Sequence, residues 1–117
     1  MRIYLACPYT HDKAVIRKLR FVTVTRIAAS LVAQGHQVFS PITHSHPMVE
    51  HGKEDLSHDF GYWVPMNHGM IDWSNAVYVL MMPGWDCSAG VKDEIEYARR
   101  TGKKVRGIPT TGKAVEM

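Results

Sequence analysis

Short segments typical of strands alternate along the chain with segments of helical periodicity. The strand-like segments are residues 2–6, 37–40, 76–82 and 103–108, and the apolar run at 76–82, bounded by Pro83-Gly84, has the length of a buried strand. Strands that alternate with helices at this spacing predict parallel strands joined by right-handed crossovers. The pattern therefore favours an α/β protein.

The first helical segment has an apolar stripe with a spacing of three to four residues. The stripe consists of Phe21, Val24, Ile27, Ala28 and Leu31. We expect Asp12 to cap the start of this helix and Gly35 to follow its end. Residues 62–75 also predict a helix, which leads into the strand at residue 76.

Residues 41–62 show the least regular pattern in the chain. A segment of this length without periodicity predicts a lid, a binding loop or a poorly ordered stretch. The tail after Ile108 offers few residues that a core could bury. The elements together predict one domain over residues 1–117, an open parallel sheet of four or five strands with helices on both faces, flavodoxin-like or Rossmann-like.

The composition narrows the possible function classes. The chain is 45% hydrophobic and 21% charged, with a formal net charge of +3, but it has no block of lysines and arginines that would bind polymeric nucleic acid. Only two cysteines are present, no apolar run approaches the ~20 residues of a membrane span, and no signal peptide opens the chain. We therefore expect a cytoplasmic protein with no contact to a membrane.

Two short motifs invite a functional interpretation that the sequence does not support. Residues 107–113 resemble the start of a P-loop, but Ala114 stands where a serine or threonine would bind magnesium. Five histidines lie in the middle of the chain without a matching ligand pair at a metal-site spacing. They are His44, His46, His51, His58 and His68. We expect no metal and no cofactor.

The strand at residues 76–82, the loop at 83–90 and the following helix form a unit suited to an anion. In open parallel sheets, ligands bind at the carboxyl ends of the strands, and a helix start offers free backbone N–H groups. Ser88 is a candidate helix cap there. Glu94 and Glu96 point to different helix faces. We expect Glu94 to face the cleft and the solvent, so that replacing it would cost little stability.

These residues, with the start of the chain, resemble the nucleoside 2-deoxyribosyltransferase-like superfamily of deoxyribosyltransferases and nucleotide N-hydrolases. The resemblance rests on Ile3-Tyr4-Leu5-Ala6-x-Pro8-Tyr9 and on Pro83-Gly84-Trp85-Asp86-x-Ser88-x-Gly90-Val91-x-x-Glu94-x-x-x-Ala98. It implies the same fold and an enzyme that cleaves or transfers the N-glycosidic bond of a small-molecule nucleoside or nucleoside 5′-monophosphate. It also implies that a carboxylate attacks C1′ and forms a covalent sugar ester.

The same resemblance implies a set of site residues. Glu94 matches the nucleophile, Ser88 the residue that binds phosphate or a sugar hydroxyl, and Tyr9 the tyrosine after the first strand. The superfamily's second acidic residue has no clear counterpart, because His68 and Asn75 stand where aspartates are usual. Asp72 is our first candidate for that role, with His68 and Asp86 as alternatives. The remaining expected binding residues are Pro8, Asp86, Ala89 and Gly90.

Two other interpretations stay open. A phosphoribohydrolase of the lysine-decarboxylase-like type has a parallel motif, although its double glycine and Gly-Thr pair are missing here. A non-catalytic nucleotide-binding or sensing protein could keep the cleft without the second acid. The sequence does not name the base or the sugar, nor does it separate a hydrolase from a transferase.

The chain also has more apolar and aromatic residues in its middle than a small core requires. They are Phe60, Tyr62, Trp63, Val64, Met66, Met70 and Trp73. Such clusters often mark interfaces between subunits, and members of the resembling superfamily assemble with shared sites. We therefore expect a homodimer or a higher homo-oligomer, whose partner chain helps to close the site. Alternatively, these residues cover one face of the sheet.

Overall fold

A computed structural model describes residues 1–110 and the backbone of Val115–Glu116. Its elements, in chain order, are β1 (Arg2–Ala6), α1 (Ala14–Ala33), β2 (Gln37–Phe39), α2 (Pro41–His51), α3 (Phe60–Trp73), β3 (Ala76–Leu80), a short 3₁₀-helix (Trp85–Cys87), α4 (Ala89–Arg100), β4 (Lys104–Ile108) and β5 (Val115–Glu116). Part of the P-loop-like stretch, residues 111–113, and Ala114 lie outside the described residues. No helix of the described part is long and apolar enough to cross a membrane.

The strands form one sheet in the order β2-β1-β3-β4-β5. The first four strands are parallel, and β5 pairs antiparallel with β4 at the edge. This order is that of flavodoxin-like sheets. The predicted α/β fold with four or five strands is therefore confirmed, with one short antiparallel strand added.

Alternating side chains of the strands pack against helices on the two faces of the sheet. Ile3 and Leu5 of β1 point into the cluster that contains Val24 and Leu31 of α1. Tyr4 and Ala6 point the other way, into a second cluster. That second cluster includes Ile71, Val91 and Ala98. Helices thus cover both faces, as predicted, and the neighbouring strand β3 is buried along its whole length.

The structure corrects two local predictions. The region expected to be irregular begins with a helix, α2, because Ser40 caps it through a 3.2 Å hydrogen bond from the backbone N–H of Thr43 and Pro41 takes its first turn. The irregular segment therefore shrinks to residues 52–59. The prediction that Asp12 caps α1 is wrong, since the capping position is Lys13 and no side chain caps this helix.

Helices α1 and α4 end at glycines, as the sequence predicted. Gly35 and Gly102 have φ angles of +95° and +79°, a left-handed conformation that glycine adopts without steric cost. The turn at Gly102 carries the chain from α4 into β4. At the other end of α4, the chain leaves the carboxyl end of β3 and enters the helix after a short loop, so the start of α4 lies where a ligand would bind.

Candidate active site

A cleft opens at the carboxyl ends of β1 and β3, between the start of α4 and the helices α2 and α3. Its walls combine polar groups with aromatic and aliphatic side chains. The lining residues are Cys7, Tyr9, Thr10, Pro41, Ile42, Ser45, His58, Phe60, Trp63, Val64, Asn67, Ser88, Gly90, Asp93 and Glu94. Its position agrees with the edge expected for a ligand in this type of sheet.

Glu94 lines the cleft but is buried, with only 6% of its surface exposed. It lies on the stripe of α4 that faces the sheet, three residues after Val91 and four before Ala98. The hydroxyl of the fully buried Tyr4 donates a hydrogen bond to its Oε2. The expectation that Glu94 faces the solvent is therefore wrong, and its replacement affects a buried polar contact.

Burial also changes the acidity of this carboxyl group. Loss of hydration raises the pKa of Glu94 from 4.5 to about 8, the hydrogen bond from Tyr4 opposes the rise, and the charge of Asp93 adds to it. Burial and the nearby Glu94 likewise hold the pKa of the Tyr4 hydroxyl well above its usual range. At neutral pH the cleft therefore holds a protonated carboxyl group in its wall.

Ser88 begins α4 and faces two cavities. Its hydroxyl accepts a 3.2 Å hydrogen bond from the backbone N–H of Val91, so it caps the helix as its position suggested. Ser88 lines the cleft and also a neighbouring cavity. That cavity is further lined by Thr10, Arg20, Phe60, Gly84, Cys87, Ala89 and Gly90.

Arg20 is the one arginine in the lining of this neighbouring cavity. Its Nη1 and Nη2 donate to the backbone oxygens of Thr10 and Pro83, at 3.2 and 3.4 Å. Gly90 leaves space where the two cavities meet, because a Cβ there would lie only 3.2 Å from Cβ of Phe60. A guanidinium group and the start of a helix therefore border the same small space, an arrangement suited to an anion.

Tyr9 lines the cleft, and its hydroxyl group contacts His46. Its hydroxyl lies 2.5 Å from Nδ1 of His46, whose ring stacks on Phe21. Burial raises the pKa of Tyr9 and lowers that of His46. Pro8 is fully buried beside it and is not among the residues that line the cavities described here. The tyrosine that touches Glu94 is Tyr4.

The three candidates for a second acidic group lie in different places. Asp72 is exposed on α3 and accepts a 2.8 Å hydrogen bond from the hydroxyl of Tyr97. Asp86 is exposed in the short 3₁₀-helix. His68 lies on α3 with its Nε2 2.8 Å from Oδ2 of Asp93, which does line the cleft. The structure thus brings Ser88, Gly90, Glu94 and Tyr9 to the cleft walls but leaves Asp72 and Asp86 outside them.

Sequence reasoning missed several polar residues of the site, among them Tyr4, Asn67 and Asp93. Tyr4 is a strand residue, and the alternation of β1 could have placed it on the same sheet face as α4. Asn67 is only 9% exposed and lines the cleft from α3. A buried amide requires hydrogen-bond partners, which a polar ligand in the cleft could provide. Asp93 directly precedes the proposed nucleophile in α4. Adjacent helix positions differ by only about 100°, so the spacing could have placed Asp93 near the cleft as well.

The histidines of the middle region do not gather at one point. His44 packs between the rings of Phe39 and Trp63, and His46 lies against Tyr9. Within the described residues, no group of three or more histidine, cysteine or acidic side chains is arranged to hold a metal ion. His58 instead lines the cleft, and the buried His46 contacts Tyr9 in the cleft wall.

Comparison with known proteins places this geometry in context. A solved 2-deoxyribosyltransferase from the psychrotolerant bacterium Bacillus psychrosaccharolyticus, described as a biocatalyst for the synthesis of nucleosides, is similar to the chain with a TM-score of 0.59 and 20% sequence identity. The match covers 99% of this chain and 77% of that one, and it shows that the chain has a deoxyribosyltransferase-like fold. The curated protein sequences contain no significant match. The profile of the family described as Domain of unknown function (DUF1937) matches residues 1–108, and the chain therefore belongs to that family.

Proposed function

We propose that this protein cleaves or transfers the N-glycosidic bond of a nucleoside or a nucleoside 5′-monophosphate, with Glu94 as the nucleophile. The observation that carries the proposal is the place of Glu94. Its carboxyl group is buried in the wall of a cleft, at the ligand-binding edge of a deoxyribosyltransferase-like sheet, and a tyrosine hydroxyl orients it. The similar solved structure is a deoxyribosyltransferase, which supports this reaction class.

The proposed reaction has two steps. Ionised Glu94 attacks C1′ of the sugar as the base departs, which gives a covalent sugar ester, and water or a second base then resolves it. Tyr4 holds Oε2 of Glu94 by its hydroxyl. Oε1 is therefore the oxygen that we assign to the attack on C1′. Because the pKa of Glu94 is about 8, the reactive, ionised form becomes dominant only in weakly alkaline solution, unless the positive charge that develops at C1′ favours it earlier.

The cavity beside the cleft supports a phosphorylated substrate. Arg20 and Ser88 border it, and the backbone N–H groups at the start of α4 add partial positive charge. A 5′-phosphate in this space would leave the sugar next to Glu94, since Ser88 and Gly90 line both cavities. The aromatic rings of Phe60 and Trp63 in the cleft wall offer surfaces on which a base could stack.

We also propose that a partner subunit covers this region. Phe60, Tyr62 and Met66 of α3 expose 39%, 55% and 45% of their surfaces, although all three are large and apolar. Phe60 belongs to the walls of both cavities, so a chain packed against the start of α3 would also cover the site and exclude water.

The test is release of free base from a panel of nucleosides and nucleoside 5′-monophosphates, followed by chromatography. The wild-type protein should release base from one class of substrate, and Glu94→Gln should lose several orders of magnitude in rate. Glu96→Gln is the matched control, because Glu96 is exposed on the same helix and should leave the rate unchanged.

The other outcomes separate the alternative functions. Binding of a nucleotide in calorimetry, without any base release, would favour the sensing protein over the enzyme. Release from ribonucleoside 5′-monophosphates alone, with full activity of Glu94→Gln, would favour a phosphoribohydrolase that works without this nucleophile. Full activity of Glu94→Gln would refute the proposed mechanism whatever the substrate.

A further inference from the structure

A second carboxyl group faces the cleft one residue before Glu94. Asp93 lines the cleft, and its Oδ2 lies 2.8 Å from Nε2 of His68 on the neighbouring helix α3. The ring of His68 stacks on the ring of Tyr97, with 3.8 Å between the centroids and 11° between the planes. These contacts fix the imidazole ring, and the ring in turn fixes the carboxyl group of Asp93.

The surroundings of Asp93 leave it open to a ligand. Its side chain is 34% exposed, and within the described residues its hydrogen bond is made through Oδ2 to His68. Oδ1 makes none of the hydrogen bonds of the described residues and is therefore available to a ligand. Asp72, by contrast, is engaged with Tyr97 on the exposed side of α3, so it is a poor source of a second acid for the cleft.

We propose that Asp93 is a catalytic residue that protonates the departing base, and that His68 is the positioning residue that holds it. The assignment rests on the proposed function. As the C1′–N bond breaks, its electron pair passes to the base nitrogen, which takes the proton of the Asp93 carboxyl group while an oxygen of Glu94 bonds to C1′. A water oxygen then bonds to C1′, the ester electron pair returns to Glu94, and a proton of that water returns to Asp93.

The proton for the first step is present near neutral pH. Glu94 carries that proton, because burial raises the pKa of its carboxyl group to about 8. In the proposed step Glu94 passes the proton to Asp93, the preceding residue of α4, as it ionises for the attack. With Nε2 protonated, His68 donates a hydrogen bond to the Asp93 carboxylate that remains after the proton has left.

The decisive experiment compares two leaving groups. The first substrate is the purine nucleoside 5′-monophosphate that the wild type cleaves fastest, and the second is its N7-methyl derivative, whose base leaves as a neutral molecule without a proton. Asp93→Asn should lower kcat on the first substrate about 10²–10⁴-fold, the usual effect of losing a general acid, and on the second by less than about tenfold. A merely structural role of Asp93 would lower both rates alike.

His68 variants test the positioning role with the same pair of substrates. His68→Leu should repeat the pattern of Asp93→Asn in weaker form, about 10-fold to 100-fold on the unmethylated substrate. His68→Gln keeps an N–H donor and should restore part of the rate. Glu96→Gln serves as the control on α4, and melting curves of every variant confirm that it is folded.

Two results would overturn the assignment while leaving the proposed function intact. One is an equal loss on both substrates in Asp93→Asn, and the other is full activity of that variant on the unmethylated substrate. A failure of the proposed function looks different, since the wild type itself would then release no base from any member of the panel.

Discussion

Replacing Glu94 by glutamine should stabilise the protein in neutral and alkaline solution, although it removes the proposed nucleophile. The native state raises the pKa of Glu94 to about 8, whereas an unfolded chain keeps it near 4.5. Between these two pH values the native state binds one proton more than the unfolded state, so the free energy of unfolding falls as the pH rises. Glutamine resembles the protonated acid, can still accept the hydrogen bond of Tyr4, and does not titrate.

The size of the effect follows from the same two values. The interval from 4.5 to about 8 spans about 3.5 pH units. At ~1.4 kcal/mol per unit this gives a difference of at most about 5 kcal/mol between the variant and the wild type, complete above pH 8. The two proteins should differ by less than about 1 kcal/mol at pH 4.5, because both then carry a neutral side chain.

Urea unfolding at a series of pH values measures this difference, with the fluorescence of the three tryptophans as the signal. Other titrating groups affect both proteins alike and cancel in the comparison. Glu96→Gln, on the exposed side of the same helix, should follow the wild type at every pH. Parallel curves for Glu94→Gln and the wild type would refute the reasoning, since they would mean that Glu94 is hydrated and ionised in the native state.

Three further outcomes are expected. Tyr4→Phe removes the hydrogen bond that lowers the pKa of Glu94, so the acidic limb of the pH dependence of kcat/KM should move to higher pH. An acidic limb that stays in place would argue against Glu94 as the titrating group. Ser88→Ala should raise KM more than it lowers kcat for a monophosphate substrate, which steady-state kinetics measure. The loss of the helix cap should also lower the free energy of unfolding by about 1 kcal/mol, which melting curves check. Light scattering should give a multiple of the 13.2 kDa chain mass, and Tyr62→Glu should shift it to the monomer, whereas an active wild-type monomer would contradict the proposed interface.

The parts of the fold that the sequence predicted are those with strong local signals. The run from Ala76 is apolar throughout, and all five residues of β3 are buried. Gly35 and Gly102 mark helix ends because left-handed backbone favours glycine locally, whatever the rest of the chain does. These signals need no knowledge of distant contacts, which is why they sufficed for the sheet and its crossovers.

The helix α2 shows where local reading fails. After the strand-like segment 37–40, Pro41 is typical of a strand end, but the same residue starts a helix when a serine before it caps the first turn. The composition of α2 is polar and rich in histidine, and its buried positions include Ser45 and His46. The sequence pattern therefore does not show which side of the helix faces the core. Polar residues at core positions cannot be distinguished from a solvated loop until their partners, such as Tyr9, are known.

The site depends even more on distant contacts. Glu94 stands among charged residues in the sequence, and only the contact with Tyr4, 90 residues away in the chain, reveals it as a buried acid. Burying a carboxyl group against the sheet costs stability as the pH rises, and a protein selected for stability alone would place an apolar residue there, like Val91 and Ala98 on the same stripe. A destabilising group kept at the mouth of a cleft, beside a second carboxyl group that a histidine holds, is better explained by chemistry on a bound ligand than by folding.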